Sequence, residues 1–223
     1  MSHAHAPYTR PGFYDEMIGR GMHRDIVGGR WEETGERQME IVEDAGILPH
    51  HHLLDIGAGP LRLGCKVINY LEPGHYWATD ASRELMLVGH ERELSDRSRL
   101  DPAQLVEDKA FEFPQIPLRI THAIAFGLFP HLPHEMLGLC LRNLQRLPNL
   151  ELFLFTVFLR PDEVAEDAHY RQRDGVVTHY TRAPYDMRAS SVHEMARDAG
   201  WTLWEDPRKL PRGQVLFHAR RTV

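Results

Sequence analysis

The stretch that most constrains this chain runs from Leu53 to Gly64. A short apolar run, Leu53-Leu54-Asp55-Ile56, ends on Gly57-Ala58-Gly59, and Pro60-Leu61-Arg62-Leu63-Gly64 follows. A β-prone run, a glycine turn and a helical pattern in direct succession read as the opening of a βαβ unit. Glycines at such a turn let the backbone approach a ligand closely. In open α/β sheets, ligands bind in the crevice beyond the carboxyl ends of the strands. The segment therefore sets both a fold class and the end of the sheet where function is expected.

The rest of the chain repeats the alternation. Residues 61–71 have helical spacing at Leu63, Val67, Ile68 and Leu71. Residues 75–79 predict a second strand ending at Asp80, and 83–94 a second helix. Strands follow at 104–107, 120–126 and 150–159, with a helix at 133–147. Central strands apolar on both faces, separated by helices, predict a parallel sheet covered on both sides. The end differs. A helix at 192–199, opened by the capping-box pattern Ser191…Glu194 and closed by Gly200, precedes strands at 201–205 and 214–219. The link between those strands is too short for a helical crossover, so they are expected to be antiparallel, with one reversed strand at the sheet edge. The expected fold is α/β, Rossmann-like, with seven strands and helices on both faces.

Upstream, residues 1–30 read as irregular, broken by Pro7, Pro11, Gly12, Gly19, Gly21, Gly28 and Gly29, with Tyr8, Phe13 and Tyr14 as packing anchors. A helix is expected at 32–45. The expected organisation is an arm, 1–35, packing over the ligand site, and a domain, 36–223.

Composition narrows the function classes. The chain has 223 residues, a formal net charge of −6 and no basic stripe, so it has no electrostatic reason to seek nucleic acid or anionic lipid. Two cysteines, Cys65 and Cys140, make no disulfide framework and no CxxC pair. No signal-peptide pattern and no bilayer-length apolar run are present, so a cytoplasmic location is expected. His50, His51 and His52 are consecutive, but neighbours entering a strand point to opposite faces and cannot easily converge on one ion. No metal is expected.

Spacing discriminates between ligands. A dinucleotide fingerprint, GxGxxG, seats a pyrophosphate on a helix N-terminus. Here the third glycine, Gly64, comes two residues late. Asp80 lies about 20 residues beyond the loop at a strand end, where an acid can accept both ribose hydroxyls. Glycine loop and acid together point to a nucleoside-bearing ligand without a pyrophosphate.

At this point the chain resembles the class I S-adenosylmethionine (SAM)-dependent methyltransferases, especially the small bacterial ones, over residues 23–220. The likeness rests on Gly57 to Gly64; on Tyr70-Leu71-Glu72-Pro73-Gly74-His75-Tyr76 leading to Ala78-Thr79-Asp80; and on Phe126-Gly127-Leu128-Phe129-Pro130-His131-Leu132-Pro133. Arg212-Gly213-Gln214 and the upstream stretch from Val27 to Gly35 add to it. The resemblance implies SAM as cofactor. Gly57, Ala58 and Gly59 would line its methionine part, Asp80 with Ala81 beside it would hold the ribose, Asp108 would face the adenine, and Phe126 and Gly127 would close the site.

The expected reaction is methyl transfer to a small molecule, with the acceptor atom and the oligomeric state open. His131 is the candidate base, since an imidazole titrates near neutrality. Tyr14, Trp31, Tyr180 and Arg188 are the substrate candidates, and the charged connection 160–183 is a candidate lid. Two other readings stay open: a SAM-binding protein without catalysis, and a nicotinamide-dependent oxidoreductase, against which the loop spacing argues.

Overall fold

The computed structural model describes Arg10 and residues 12–222. The features read at Pro7, Tyr8 and Pro11 lie outside the described residues. The chain divides into two compact units.

The first unit holds Gly12–Ile124 with Leu147–Leu150. Its elements are α1 (Phe13–Gly19), α2 (His23–Ile26), α3 (Trp31–Asp44), β1 (Leu53–Ile56), α4 (Gly64–Tyr70), β2 (Tyr76–Asp80), α5 (Arg83–Glu93), β3 (Leu105–Glu107) and β4 (His122–Ala125), whose last residue opens the second unit. The four strands are parallel, in the order β3-β2-β1-β4. All four residues of β1 are buried, as a strand covered on both faces requires. Helix α4 begins later than its apolar spacing suggests. Pro60 and a left-handed Leu61 (φ 63°) hold residues 60–63 in turns, so regular helix starts only at Gly64. Ser82 caps α5 by accepting the Leu85 N–H at 3.1 Å.

Residues 12–30 are more regular than their glycines suggest. Short helices α1 and α2 lie against α5. The anchor is Glu93, whose side chain is 5% exposed. It accepts from His23 Nε2 at 2.6 Å and from Arg24 Nη2 and Nε at 2.6 and 2.9 Å. Burial alone would raise the Glu93 pKa, but these bonds hold it below the ordinary carboxylate range. The consecutive histidines do diverge: His51 stacks on His122 at 4.3 Å and His52 on His75 at 3.8 Å between centroids.

The second unit holds Ala125–Arg146 and the chain from Glu151 onward. It contains α6 (His134–Leu144), β5 (Leu152–Leu159), β6 (His169–Arg171), β7 (Val177–His179), β8 (Asp186–Met187), α7 (Ala189–Asp198), β9 (Trp201–Glu205) and β10 (Gln214–Arg221). Strand β10 runs antiparallel to β5 on one side and to β9 on the other. The reversed strand is therefore not the edge strand, as the sequence reading had it. The short β9–β10 link forces a hairpin, and β10 takes the place beside β5, the most apolar run of the chain. Phe155 stacks on Phe153 and Phe217 at 5.1 and 5.4 Å in the resulting core. All seven expected strands are present. The three additional ones, β6, β7 and β8, are short and fall in or just after the stretch read as a charged connection. Helix α7 starts at Ala189, so Ser191 and Glu194 lie inside it and form no capping box. No helix among the described residues is long and apolar enough to cross a membrane.

Glu93→Ala should leave the Arg24 guanidinium and the His23 ring without their shared acceptor and cost about 2–4 kcal/mol. Thermal unfolding should show that loss, and limited proteolysis should cut within residues 12–30 faster than in the parent protein. An unchanged melting temperature would remove Glu93 as the anchor.

Candidate functional site

The glycine turn is pinned from beneath by its neighbouring strand. Gly57 and Ala58 both donate their N–H groups to the Thr79 carbonyl, at 2.8 and 3.1 Å. Gly59 donates to Asp80 Oδ2 at 2.9 Å, and Ser82 N–H donates to Oδ1 at 2.9 Å. Gly57 and Gly59 take φ of 73° and 55°, the region that favours glycine. The Asp80 carboxylate thus links the glycine turn to the start of α5. Burial raises its pKa, and backbone N–H groups of Ser82, Gly59 and Ala81 oppose that rise. Each carboxylate oxygen accepts one of the two bonds named and keeps capacity for another donor.

Two close approaches shape the same loop. A Cβ added at Gly89 on α5 would meet the Pro60 carbonyl oxygen at 2.2 Å, so only glycine lets α5 sit on the loop backbone. A Cβ at Gly59 would meet Val27 Cγ1 at 3.0 Å. Arg62, from the loop itself, donates to the Val27 carbonyl at 2.9 Å and to Gln38 Oε1 at 3.2 Å. The segment around Val27 is therefore held against the turn.

Asp55, inside the same motif, is 4% exposed. Tyr76 Oη donates to it at 2.8 Å. Burial pushes the Asp55 carboxyl up to about 7, although the Tyr76 bond pulls it down. Burial likewise pushes the Tyr76 phenol well above its ordinary value, so the phenol remains the donor.

Asp108 occupies the expected place after β3, but its carboxylate is engaged by its own loop. Oδ1 accepts the N–H groups of Ala110 and Glu112 at 3.0 and 3.1 Å, and Oδ2 accepts that of Phe113 at 2.8 Å. These bonds hold a turn in which Phe111 and Phe113 are left-handed and buried.

In the second unit, Phe126 and Gly127 follow β4. Gly127 N–H donates to Thr156 Oγ1 at 2.8 Å, and that hydroxyl donates to Gln214 Oε1 at 2.6 Å. Thr156 therefore ties the Phe126-Gly127 turn to the Arg212-Gly213-Gln214 segment, two motifs far apart in sequence. His131 ends a short 3-10 turn and is half-buried. Burial, aided by Arg212, lowers its pKa to about 4, below the near-neutral value assumed from sequence. Its imidazole is neutral at physiological pH.

The substrate candidates separate. Trp31 is 7% exposed with Arg24 over its ring at 5.0 Å, which leaves it little surface for a ligand. Tyr14 is half-buried on α1 against Phe13. Tyr180 and Arg188 are near each other, with the Arg188 guanidinium 5.6 Å from the Tyr180 ring centroid. Arg62, Gly89, Glu93, Thr156 and Arg160 were not singled out from sequence. Only Gly89 carried a signal, as a lone glycine inside a helical pattern, which usually marks close packing.

No protein-family model matches this chain, and no curated protein sequence matches it. Solved structures do. Magnesium protoporphyrin IX methyltransferase (ChlM) from Synechocystis PCC 6803 with bound SAM has a TM-score of 0.58 at 12% identity, covering 96% of this chain and 85% of that one. The glycopeptide N-methyltransferase MtfA has a TM-score of 0.59 at 14% identity, covering 84% and 90%. The methyltransferase domain of bacterial CtHen1-C has a TM-score of 0.59 at 11% identity, covering 85% and 99%. At these identities the likeness is one of fold: the chain has the Rossmann-like α/β fold of these methyltransferases.

The Asp55 pair has a pH consequence. A carboxyl near pKa 7 in the fold and about 3.9 unfolded keeps its proton longer when folded, so its contribution to stability declines as pH rises from about 4 to about 7. The full difference is about 4 kcal/mol. Asp55→Asn should flatten the pH dependence of unfolding across that window and gain most, relative to the parent, at pH 8. Parallel pH profiles for the two proteins would place the proton elsewhere.

Proposed function

We propose that this protein is a SAM-dependent methyltransferase acting on a small molecule. One observation carries the reading: the left-handed Gly57–Gly59 turn is bonded to a half-buried acid, Asp80, at the carboxyl end of the adjacent parallel strand. Structures of the same fold, ChlM and MtfA among them, were solved with SAM bound.

The residues fit such a cofactor. A ribose diol presents two donors, and the Asp80 carboxylate is acceptor-only when ionised, with both oxygens already aligned by backbone N–H groups. Gly57, Ala58 and Gly59 offer backbone without bulk for the methionine part, and Ala81 adds its N–H beside Asp80. Asp108 shapes the loop beyond β3 through Oδ1, and its Oδ2, which accepts the Phe113 N–H, keeps capacity to face the adenine amino group. When bound, SAM supplies an activated methyl group, so the chain's main task is orientation. His131 is the candidate to hold or accept the acceptor's proton. Its lowered pKa keeps it unprotonated at neutral pH but makes it a weak base. Phe126, Gly127, Tyr14, Tyr180 and Arg188 retain the roles inferred from sequence.

Calorimetry should show SAM and S-adenosylhomocysteine binding at micromolar Kd, with NAD silent. Asp80→Ala should weaken SAM binding by about 2–4 kcal/mol. Preferential binding of NAD would refute the assignment, and an unchanged SAM affinity in the variant would refute the role of Asp80.

For His131, the expected outcome is a turnover loss of roughly 10²-fold or more in His131→Ala with SAM affinity intact. Its titration should leave the parent's turnover level from pH 8 to about pH 5, since the imidazole ionises only near 4. Near-parental turnover in a folded variant would remove it.

A further inference from the structure

The second unit contains a cluster of basic and aromatic groups in which the two proposed substrate residues, Tyr180 and Arg188, meet a buried arginine. Arg160, at the end of β5, is 3% exposed, and its side chain is fully buried. Its Nη2 donates to the Ala168 carbonyl at 2.8 Å. Its Nε lies 3.3 Å from Asp186 Oδ1, without the alignment of a hydrogen bond. Its Nη1 is buried with no protein partner. Arg188 sits nearby, with Nη1 3.3 Å from the exposed Glu166 carboxylate and its Nε buried without a protein partner. Both guanidinium carbons lie 5.6 Å from the Tyr180 ring centroid. His134 meets Tyr180 edge-on at 4.6 Å and Tyr185 at 5.7 Å.

The buried ion pair of Arg160 with Asp186 accounts for only part of this cluster. Asp186 Oδ2 accepts from Thr178, its backbone carbonyl bonds His134 Nε2 at 2.9 Å, and its Oδ1 faces Arg160 Nε, which leaves Arg160 Nη1 and Arg188 Nε without protein partners. Gln172 Nε2 donates to Thr178 Oγ1 at 3.0 Å and supports that arrangement. The carboxylates that face the two guanidinium groups are the buried Asp186, whose Oδ1 lies beside Arg160, and the exposed Glu166 beside Arg188. Against them stand the two guanidinium groups of Arg160 and Arg188. Leaving guanidinium N–H groups buried and unpaired is costly, and their planar forks match carboxylate or phosphate oxygens.

We propose that Arg160 and Arg188, with Tyr180, form an oxyanion subsite that binds a carboxylate or phosphate group on the acceptor molecule. The aromatic rings supply the wall against which its apolar part rests, and the ligand displaces Glu166 from Arg188. The proposal rests on the reading that this chain binds a small acceptor, and it names the charge of that acceptor.

The test uses the full chain without SAM. Benzoate and phenyl phosphate serve as probes, and benzamide as the neutral control, each titrated by calorimetry. Saturable binding of benzoate, phenyl phosphate or both is expected, with benzamide at least tenfold weaker; the stronger oxyanion tells carboxylate from phosphate. Arg188→Gln, at a half-exposed position, should weaken the bound probe about tenfold, with its melting temperature confirming the fold. Arg188→Lys should restore only part of the loss, because an ammonium cannot present a planar fork. Equal binding of benzamide, or an unaltered affinity in Arg188→Gln, would overturn the subsite. A parallel SAM titration reports separately on the methyltransferase reading, since neither probe requires the cofactor.

Discussion

The Gly59 N–H donates to Asp80 Oδ2 at 2.9 Å, and the geometry of the first unit's functional end depends on that bond. Glycine turns are conformationally costly to order, and one left to itself samples many states. Here the turn is held at three N–H groups, two by the Thr79 carbonyl and one by the Asp80 side chain. The same carboxylate accepts the Ser82 N–H and so sets where α5 begins. One acid thus aligns the two loops that lie at the carboxyl ends of β1 and β2. A ligand placed there meets backbone already oriented, which spares the ordering cost that binding would otherwise carry.

Around that bond the packing is close because two glycines permit it. Gly89 lets α5 rest on the Pro60 carbonyl, and Gly59 leaves room for Val27. The segment carrying Val27 is held by Arg62 and, farther along, by Glu93 with His23 and Arg24. These are polar contacts at the margin of an apolar core, each satisfied by partners far away in sequence. They convert a glycine-punctuated segment into two short helices docked on α5.

The second unit uses buried polarity differently. Thr156 sits in an otherwise apolar strand, and its hydroxyl joins the turn after β4 to the segment before β10. Arg160, four residues further on, keeps a buried guanidinium incompletely paired. Polar groups inside an apolar layer are tolerated only where they are bonded or await a partner. Thr156 is of the first kind. Arg160 is partly of each kind: Nη2 is bonded and Nε faces Asp186, while Nη1 is left over, and the proposed oxyanion subsite draws on that remainder.

Much of this was readable before any coordinates. Period-2 and helical spacing placed seven strands and most helices, because the burial of one or both faces leaves a direct imprint on residue order. The glycine loop and Asp80 were legible for the same reason: a tight turn and a strand-end acid are local features. What the sequence could not show were pairings between distant residues. The place of β10 between β5 and β9, the Glu93 anchor, the loop-bound state of Asp108, the lowered pKa of His131 and the approach of Arg160 and Arg188 to Tyr180 all depend on three-dimensional neighbours. Burial and electrostatic environment are properties of the folded assembly of side chains, and a linear pattern carries them only in outline.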